Sequence, residues 1–221
     1  MHPMGQVFTP ADSIQAVRFR PAGPWALLVE VDSLATVRAL YARIQRERAG
    51  GWAPGLLDVV PAARTVLLDG IADQAALAAE IRSWSIAPSP PASGRVVEIE
   101  CRYDGPDLGE VARQWGIPLE RVAAVHSALS HEVAFCGFVP GFPYVAGLAG
   151  GREITRRDRP RTAVPPGSVA LGDEYTGIYP RTSPGGWQII GHTDAVMWDP
   201  GRDPAALLQP GDQVRFVDVT P

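Results

Sequence analysis

Between residues 126 and 193 the chain concentrates residue types suited to binding a small molecule. Gly137 to Tyr144 reads Gly-Phe-Val-Pro-Gly-Phe-Pro-Tyr, with two glycines, two prolines and three aromatic rings. Arg159 to Val169, Thr176 to Pro180 and Ser183 to Gly191 have the same character. Proline fixes φ and glycine admits positive φ, so such stretches form rigid loops. Successive N–H groups in those turns can cradle an anion, and neighbouring rings offer a ligand a flat apolar wall. The candidate ligand-contacting residues in these stretches are Phe138, Gly141, Phe142, Tyr144, Pro165, Gly167, Ser168, Tyr179, Ser183, Gly185, Gly186 and Trp187. The same pattern also suits loops that only turn the corners of a barrel.

Three polar residues stand out as catalytic candidates. His126, at the end of an expected helix, can donate to a carboxylate or phosphate oxygen, or act as a capping or core histidine. Arg161 can make a bidentate contact with phosphate or carboxylate, or pair at the surface with Asp158 or Glu153. Gln188, beside Trp187, can read an amide if it points inward, or belong to the polar face of a half-buried strand.

Other chemistries are excluded. All 20 basic residues are arginine, so no lysine serves as phosphate ligand or Schiff-base amine, and a Walker-type loop is absent. Ser168 follows Gly167 but lacks the second glycine of a nucleophile elbow. The four histidines lack metal-ligand spacing, so no metal site is expected. A net charge of −4 argues against nucleic acid as a partner. No apolar run approaches the length of a membrane span, and Met1 to Pro10 lacks the pattern of a signal peptide. Cys101 and Cys136 read as packing thiols, which fits a cytoplasmic location.

The elements that must position these residues form an α+β pattern in 221 residues, 46% hydrophobic. Trp25 to Val31 reads as a buried strand, followed by a helix capped by Asp32 or Ser33 with Leu34, Val37, Leu40, Tyr41 and Ile44 at helical spacing. Leu56 to Val60 and Thr65 to Leu68 read as strands joined by a turn through Pro61, and a second helix starts near Asp73 with Leu77, Ile81 and Trp84 on one face. With an extra strand at Ala16 to Arg20, this predicts a small ferredoxin-like α+β domain over residues 1–86. Residues 87–94, rich in Pro, Ser and Ala, read as a linker. Residues 95–221 open with a strand, Arg95 to Tyr103. Two short helices follow, one capped by Asp107 and one over Leu119 to Leu129. They continue as short apolar runs cut by Gly and Pro: Val133 to Val139, Ser168 to Leu171, Trp187 to Ile190, Ala195 to Trp198 and Gln213 to Val217. That pattern predicts a closed or nearly closed barrel.

The motifs from His126 to Gly191, with Tyr103 to Leu108 and Pro210 to Phe216, resemble the B-type subunit family of 5-oxoprolinase, also labelled KipI-like or allophanate hydrolase subunit 1. The resemblance is strong after residue 95 and weak before it. It implies a cyclophilin-like β-barrel for residues 95–221. It implies two partners: a C-type subunit (allophanate hydrolase subunit 2-like) and an A-type subunit. It also implies ATP, with Mg2+ shared with the partner, in opening 5-oxoproline to L-glutamate; ATP is suggested to phosphorylate the lactam oxygen. Relatives usually carry a tyrosine where this chain has His131. The same resemblance extends to regulatory proteins that inhibit a sensor histidine kinase, and to allophanate hydrolase or carboxyltransferase-type subunits. A prolyl isomerase role is the weakest reading, because a fold does not carry an activity.

Overall fold

The structure is a computed structural model that describes residues 17–86, 94–148 and 150–221. The chain divides into two compact units, Met1–Pro90 and Pro91–Pro221. Of the expected linker, all but Gly94 lies outside the described residues.

The first unit is a four-stranded antiparallel sheet with two helices. Its elements are β1 (Arg18–Pro21), β2 (Ala26–Glu30), α1 (Leu34–Ala49), β3 (Asp58–Pro61), β4 (Thr65–Asp69) and α2 (Gln74–Ser83), with sheet order β1-β2-β4-β3. The extra strand begins at Arg18; Ala16 lies outside the described residues. Ser33 starts α1 because its extended backbone lets Oγ accept from Thr36 N at 3.1 Å. Asp73 does the same for α2 through Ala76 N at 2.9 Å. Val37, Leu40 and Ile44 from α1 and Leu77 and Ile81 from α2 then share one apolar core with Leu27, Val29, Val66 and Leu68. Pro61 is the last residue of β3 rather than part of the turn. It lies on an edge strand, where a missing N–H is tolerated. Trp84 caps the end of α2, its ring 4.9 Å from Trp52.

The second unit is built on β5 (Val96–Cys101), α3 (Leu108–Trp115), a 3-10 turn (Leu119–Arg121), α4 (Val122–Ser127), β6 (His131–Cys136), β7 (Pro143–Ala146), β8 (Arg161–Val164), β9 (Ser168–Gly172), β10 (Tyr175–Ile178), β11 (Ser183–Gly185), β12 (Gln188–His192) and β13 (Gln213–Asp218). Seven strands form one sheet in the order β12-β9-β10-β7-β6-β13-β5. Its two edges meet at a bridge between Arg102 and His192, whose backbones exchange two hydrogen bonds of 2.9 Å. This makes the sheet nearly closed. Gly191 makes the seam feasible, because a Cβ there would collide with Arg102 O. β8 and β11 form a separate two-stranded ribbon.

Side chains alternate across a strand, so the sheet has an inner and an outer face. The inner face carries the main core: Val133, Val145, Val169, Leu171, Ile178, Ile190, Val214 and Phe216, with Val111 from α3 and Val122 from α4 packed into it. Three expectations are corrected here. The Leu119 to Leu129 helix is a 3-10 turn followed by α4, ending at Ser127. The strand expected to run to Val139 ends at Cys136, because Phe138 adopts φ 65° and turns the chain. Ala195 to Trp198 forms no strand; Trp198 makes only a single bridge, to Ala206.

Candidate functional site

The outer face of the same sheet is covered by a second apolar layer made of rings. Along β10, Thr176 and Ile178 point inward, while Tyr175 and Gly177 point outward. Trp187 lies over Gly172 and Gly177, where an added Cβ would sit 2.6 and 2.7 Å from its ring. The two glycines are thus the landing surface for the indole. Phe142 packs edge-on against Trp187 at 5.5 Å and against Tyr179 at 5.1 Å. Tyr144 contacts Trp187 at 5.5 Å and stacks on Phe135 at 4.4 Å, and Phe138 reaches Tyr179 at 6.4 Å. Trp187 is 6% exposed and Phe138 56%, so the layer is buried at its centre and open at the Phe138 end.

The loops gather around this outer ring layer. Gly137 to Phe142 is a tight turn, with Phe142 N donating to Val139 O at 3.0 Å. The β8–β11 ribbon pairs Gly185 with Arg161 and Ser183 with Val164. Gly185 lies under the Tyr179 ring, and Gly186 O accepts from Arg157 N at 2.7 Å. Gly141 abuts Trp198. Gly167 N donates to Tyr179 O at 2.7 Å, joining the Pro165 to Ser168 turn to the same layer. The hydroxyls of Ser168 and Ser183 donate to Pro165 O at 2.8 Å and Arg181 O at 3.1 Å. Both shape turns, and neither is aimed at a ligand.

Beside the rings lies an arginine-lined recess of about 840 Å³, bordered by Arg113, Thr155, Arg156, Arg157, Arg159 and Gln188. Arg156 sits 5.7 Å over the Trp187 ring and is held by Asp173 at 2.6 Å. Gln188 is 4% exposed and points inward, its Nε2 donating to Thr155 O at 3.0 Å. The residue that organises this region is Asp107, 5% exposed. Its Oδ1 accepts from Arg157 at 2.7 Å and Arg161 at 2.9 Å, and its Oδ2 accepts from Ile189 N at 2.7 Å. Asp107 makes no side-chain cap bond to α3, so the capping role expected of it is corrected: its carboxylate faces β12 and the two arginines instead. Arg161 pairs with Asp107, not with Asp158 or Glu153; Glu153 is taken by the N–H groups of Gly150 and Gly151.

His126 is not part of this assembly. It is fully buried on the inner face, with Nδ1 2.8 Å from Tyr103 Oη and Nε2 3.0 Å from Thr176 Oγ1. Its ring packs 4.7 Å from Phe216 and 4.6 Å from His131. Burial, with His131 beside it, holds its pKa well below the usual histidine range, so the ring is neutral. Both ring nitrogens are engaged with protein, and β10 separates His126 from the outer rings. Its role is to tie α4 to β10, which corrects its place among the catalytic candidates.

Residue-level reasoning missed Asp107, Thr155, Arg156, Arg157, Tyr175 and Phe135 as parts of the region. One signal was available: Arg152, Arg156, Arg157, Arg159 and Arg161 fall within ten residues of a chain that has no lysine.

A protein-family model, "Carboxyltransferase domain, subdomain C and D", matches residues 17–208. The chain is 45% identical over 139 residues to the B subunit of 5-oxoprolinase from Escherichia coli O157:H7, and 44% identical over 127 residues to that of Haemophilus influenzae. These matches cover 62% and 56% of this chain and span 64% and 60% of the length of those relatives. Among solved structures, TTHA0988 superposes with a TM-score of 0.71 at 36% identity, covering 93% of this chain and 41% of that one. The K. lactis urea amidolyase shares the fold, with a TM-score of 0.75 at 21% identity over 95% of this chain and 15% of its own. The chain thus belongs to the carboxyltransferase subdomain C and D family and is similar, within it, to the B subunits of 5-oxoprolinases.

Proposed function

We propose that the chain is one subunit of an ATP-dependent 5-oxoprolinase, opening 5-oxoproline to L-glutamate together with C-type and A-type subunits. The observation that carries this is the 45% identity to the B subunit of a 5-oxoprolinase. The site's chemistry supports it. The region offers binding groups, arginines and a buried amide beside an aromatic layer, but the histidine expected among the catalytic candidates, His126, is sealed in the core. A binding region whose histidine candidate is sealed away fits an enzyme whose chemistry a partner completes.

ATP supplies the activation of the lactam oxygen when bound. Mg2+ would arrive with the nucleotide, held by its phosphates, waters and one or two carboxylates. The nucleotide and its cation are assigned to a site shared with the partner, and substrate recognition to this chain. The same reading carries a ferredoxin-like layer for residues 1–86 and a cyclophilin-like barrel for 95–221, joined by a linker at 87–94. The order β1-β2-β4-β3 and the seven-stranded sheet closed at His192 support it. A cytoplasmic location fits the two unpaired cysteines; among the described residues no helix is long and apolar enough to cross a membrane.

A carboxyltransferase-type role is the second reading, favoured by the description of the matching family. Purifying the chain alone and with its co-expressed C-type and A-type partners, then measuring oxoproline-dependent ATP turnover, separates the two. The complex is expected to be active and the chain silent. Turnover by the chain alone, or a complex that responds to urea and not to oxoproline, would refute the proposal.

A further inference from the structure

The geometry points to the arginine-lined recess as the site that takes the substrate itself: a small cyclic amide bearing a carboxylate, read by Gln188 and Arg157 through the amide and by Arg159 through the carboxylate. This rests on the functional reading above and adds to it which ligand the recess holds and how.

Two buried polar atoms at the recess, Gln188 Oε1 and Arg157 Nε, have no protein partner. Gln188 Nε2 donates to Thr155 O at 3.0 Å, which fixes the orientation of the amide and leaves Oε1 as its other end. Gln188 is 4% exposed, and Oε1 is buried with no protein partner. Arg157 gives Nη1 to Asp107 at 2.7 Å, yet its Nε is also buried without an acceptor. One unmet acceptor and one unmet donor thus belong to two residues lining the same recess. Leaving buried polar groups unpaired is costly, so a pair of this kind calls for a ligand that brings both a donor and an acceptor.

An amide brings both, and a ring-locked amide brings them on one edge, because the ring forces the peptide-like bond to be cis. Its N–H suits Gln188 Oε1 and its C=O suits Arg157 Nε. Arg157 is 35% exposed, so its side chain has one face toward solvent from which a ligand can approach. A phosphate chain fits less well, since it carries acceptor oxygens only and would set them against Gln188 Oε1. The charge balance agrees: three of the four recess arginines are already paired, Arg157 with Asp107 among them, which suits one ligand carboxylate rather than a triphosphate. Arg113 is held by Glu110 and Arg156 by Asp173, so exposed Arg159 is the cation assigned to the ligand carboxylate.

The test is a titration followed by ligand-observed NMR, on the full chain and on the assembled complex. Four probes are used: 5-oxo-L-proline; the lactone with ring oxygen in place of the N–H; 2-pyrrolidinone, which lacks the carboxylate; and inorganic triphosphate. Oxoproline is expected to bind about tenfold or more tightly than either the lactone or pyrrolidinone, since a site built around a buried polar group rejects the analogue lacking its partner. Triphosphate should not displace it. Arg159→Ala should weaken oxoproline about fivefold or more and leave pyrrolidinone unchanged, the response of one lost charge-assisted contact. Gln188→Met should remove the preference for lactam over lactone; should that variant not fold, the Arg159→Ala comparison decides alone. Equal binding of lactam and lactone, displacement by triphosphate, or no binding to chain or complex overturns the inference. If the complex turns oxoproline over while the recess shows no lactam preference, the recess is wrong and the functional reading stands. Lactam preference with an inactive complex means the reverse.

Discussion

Asp107 and Arg161, 54 positions apart, meet at 2.9 Å, and the same carboxylate also takes the N–H of Ile189 at 2.7 Å from the start of β12. One buried carboxylate therefore joins α3, the arginine loop and the barrel edge that carries Gln188. Removing it leaves Arg157 and Arg161 facing each other without a counter-charge and a strand N–H unpaired. Asp107→Ala is expected to cost about 3 kcal/mol, the low end for breaking a buried pair because both arginines keep some contact with water. Arg161→Ala should cost less, about 1–2 kcal/mol, since Arg157 still holds the carboxylate. Urea unfolding of the variants checks the order; an Asp107→Ala loss smaller than that of Arg161→Ala would contradict it.

Trp187 and its landing surface give a matched pair of tests. Trp187→Ala empties the centre of the outer ring layer and is expected to destabilise by about 3–5 kcal/mol. Gly177→Ala adds a methyl 2.5 Å from Phe142 Cζ and 2.7 Å from the indole, and should cost about 1–3 kcal/mol by overpacking. Combined, the two should cost less than their sum, because removing the indole makes room for the methyl. Additive losses, measured by thermal or denaturant unfolding, would place the ring elsewhere.

Stability should depend on pH through the buried histidines. His126 and His131 both have pKa values lowered by burial in the folded state. The unfolded chain binds protons near the ordinary value of about 6.5 while the folded chain resists them. Their contribution is therefore complete above pH of about 6.5 and is lost as pH falls through the window below it. Denaturant unfolding between pH 7.5 and 5 should show a falling free energy as pH drops, with net proton uptake on unfolding. A flat profile over that window would rule the effect out.

Thr176→Val tests how His126 is held. Valine keeps the shape but leaves His126 Nε2 without its partner, and the expected cost is about 1–3 kcal/mol. Because Thr176 faces the inner core, the variant should leave the oxoproline affinity of the folded protein unchanged. A loss of affinity matching that of Arg159→Ala would mean that the inner and outer faces are coupled.

Much of this protein was legible in local sequence, where the determining physics is also local. Ser33 and Asp73 announce their helices because a cap acts over three residues, and the apolar positions of α1 follow from helical period alone. The loops around Phe142, Tyr179 and Trp187 could be grouped because proline, glycine and aromatic residues carry their conformational and packing preferences wherever they occur. The choice among the polar candidates was not available at that level. His126, Arg161 and Gln188 looked alike as isolated polar residues, yet His126 went to the core, Arg161 to an ion pair and Gln188 to the recess. Asp107 read as a helix cap because nothing near it in sequence mentions Arg157, Arg161 or Ile189. Those outcomes were decided by which face of the sheet each strand residue occupies and by which distant segments the closing strands bring together. Alternation makes a one-residue difference in register, Thr176 against Gly177, the difference between the histidine core and the outer rings, and only the folded sheet sets that register.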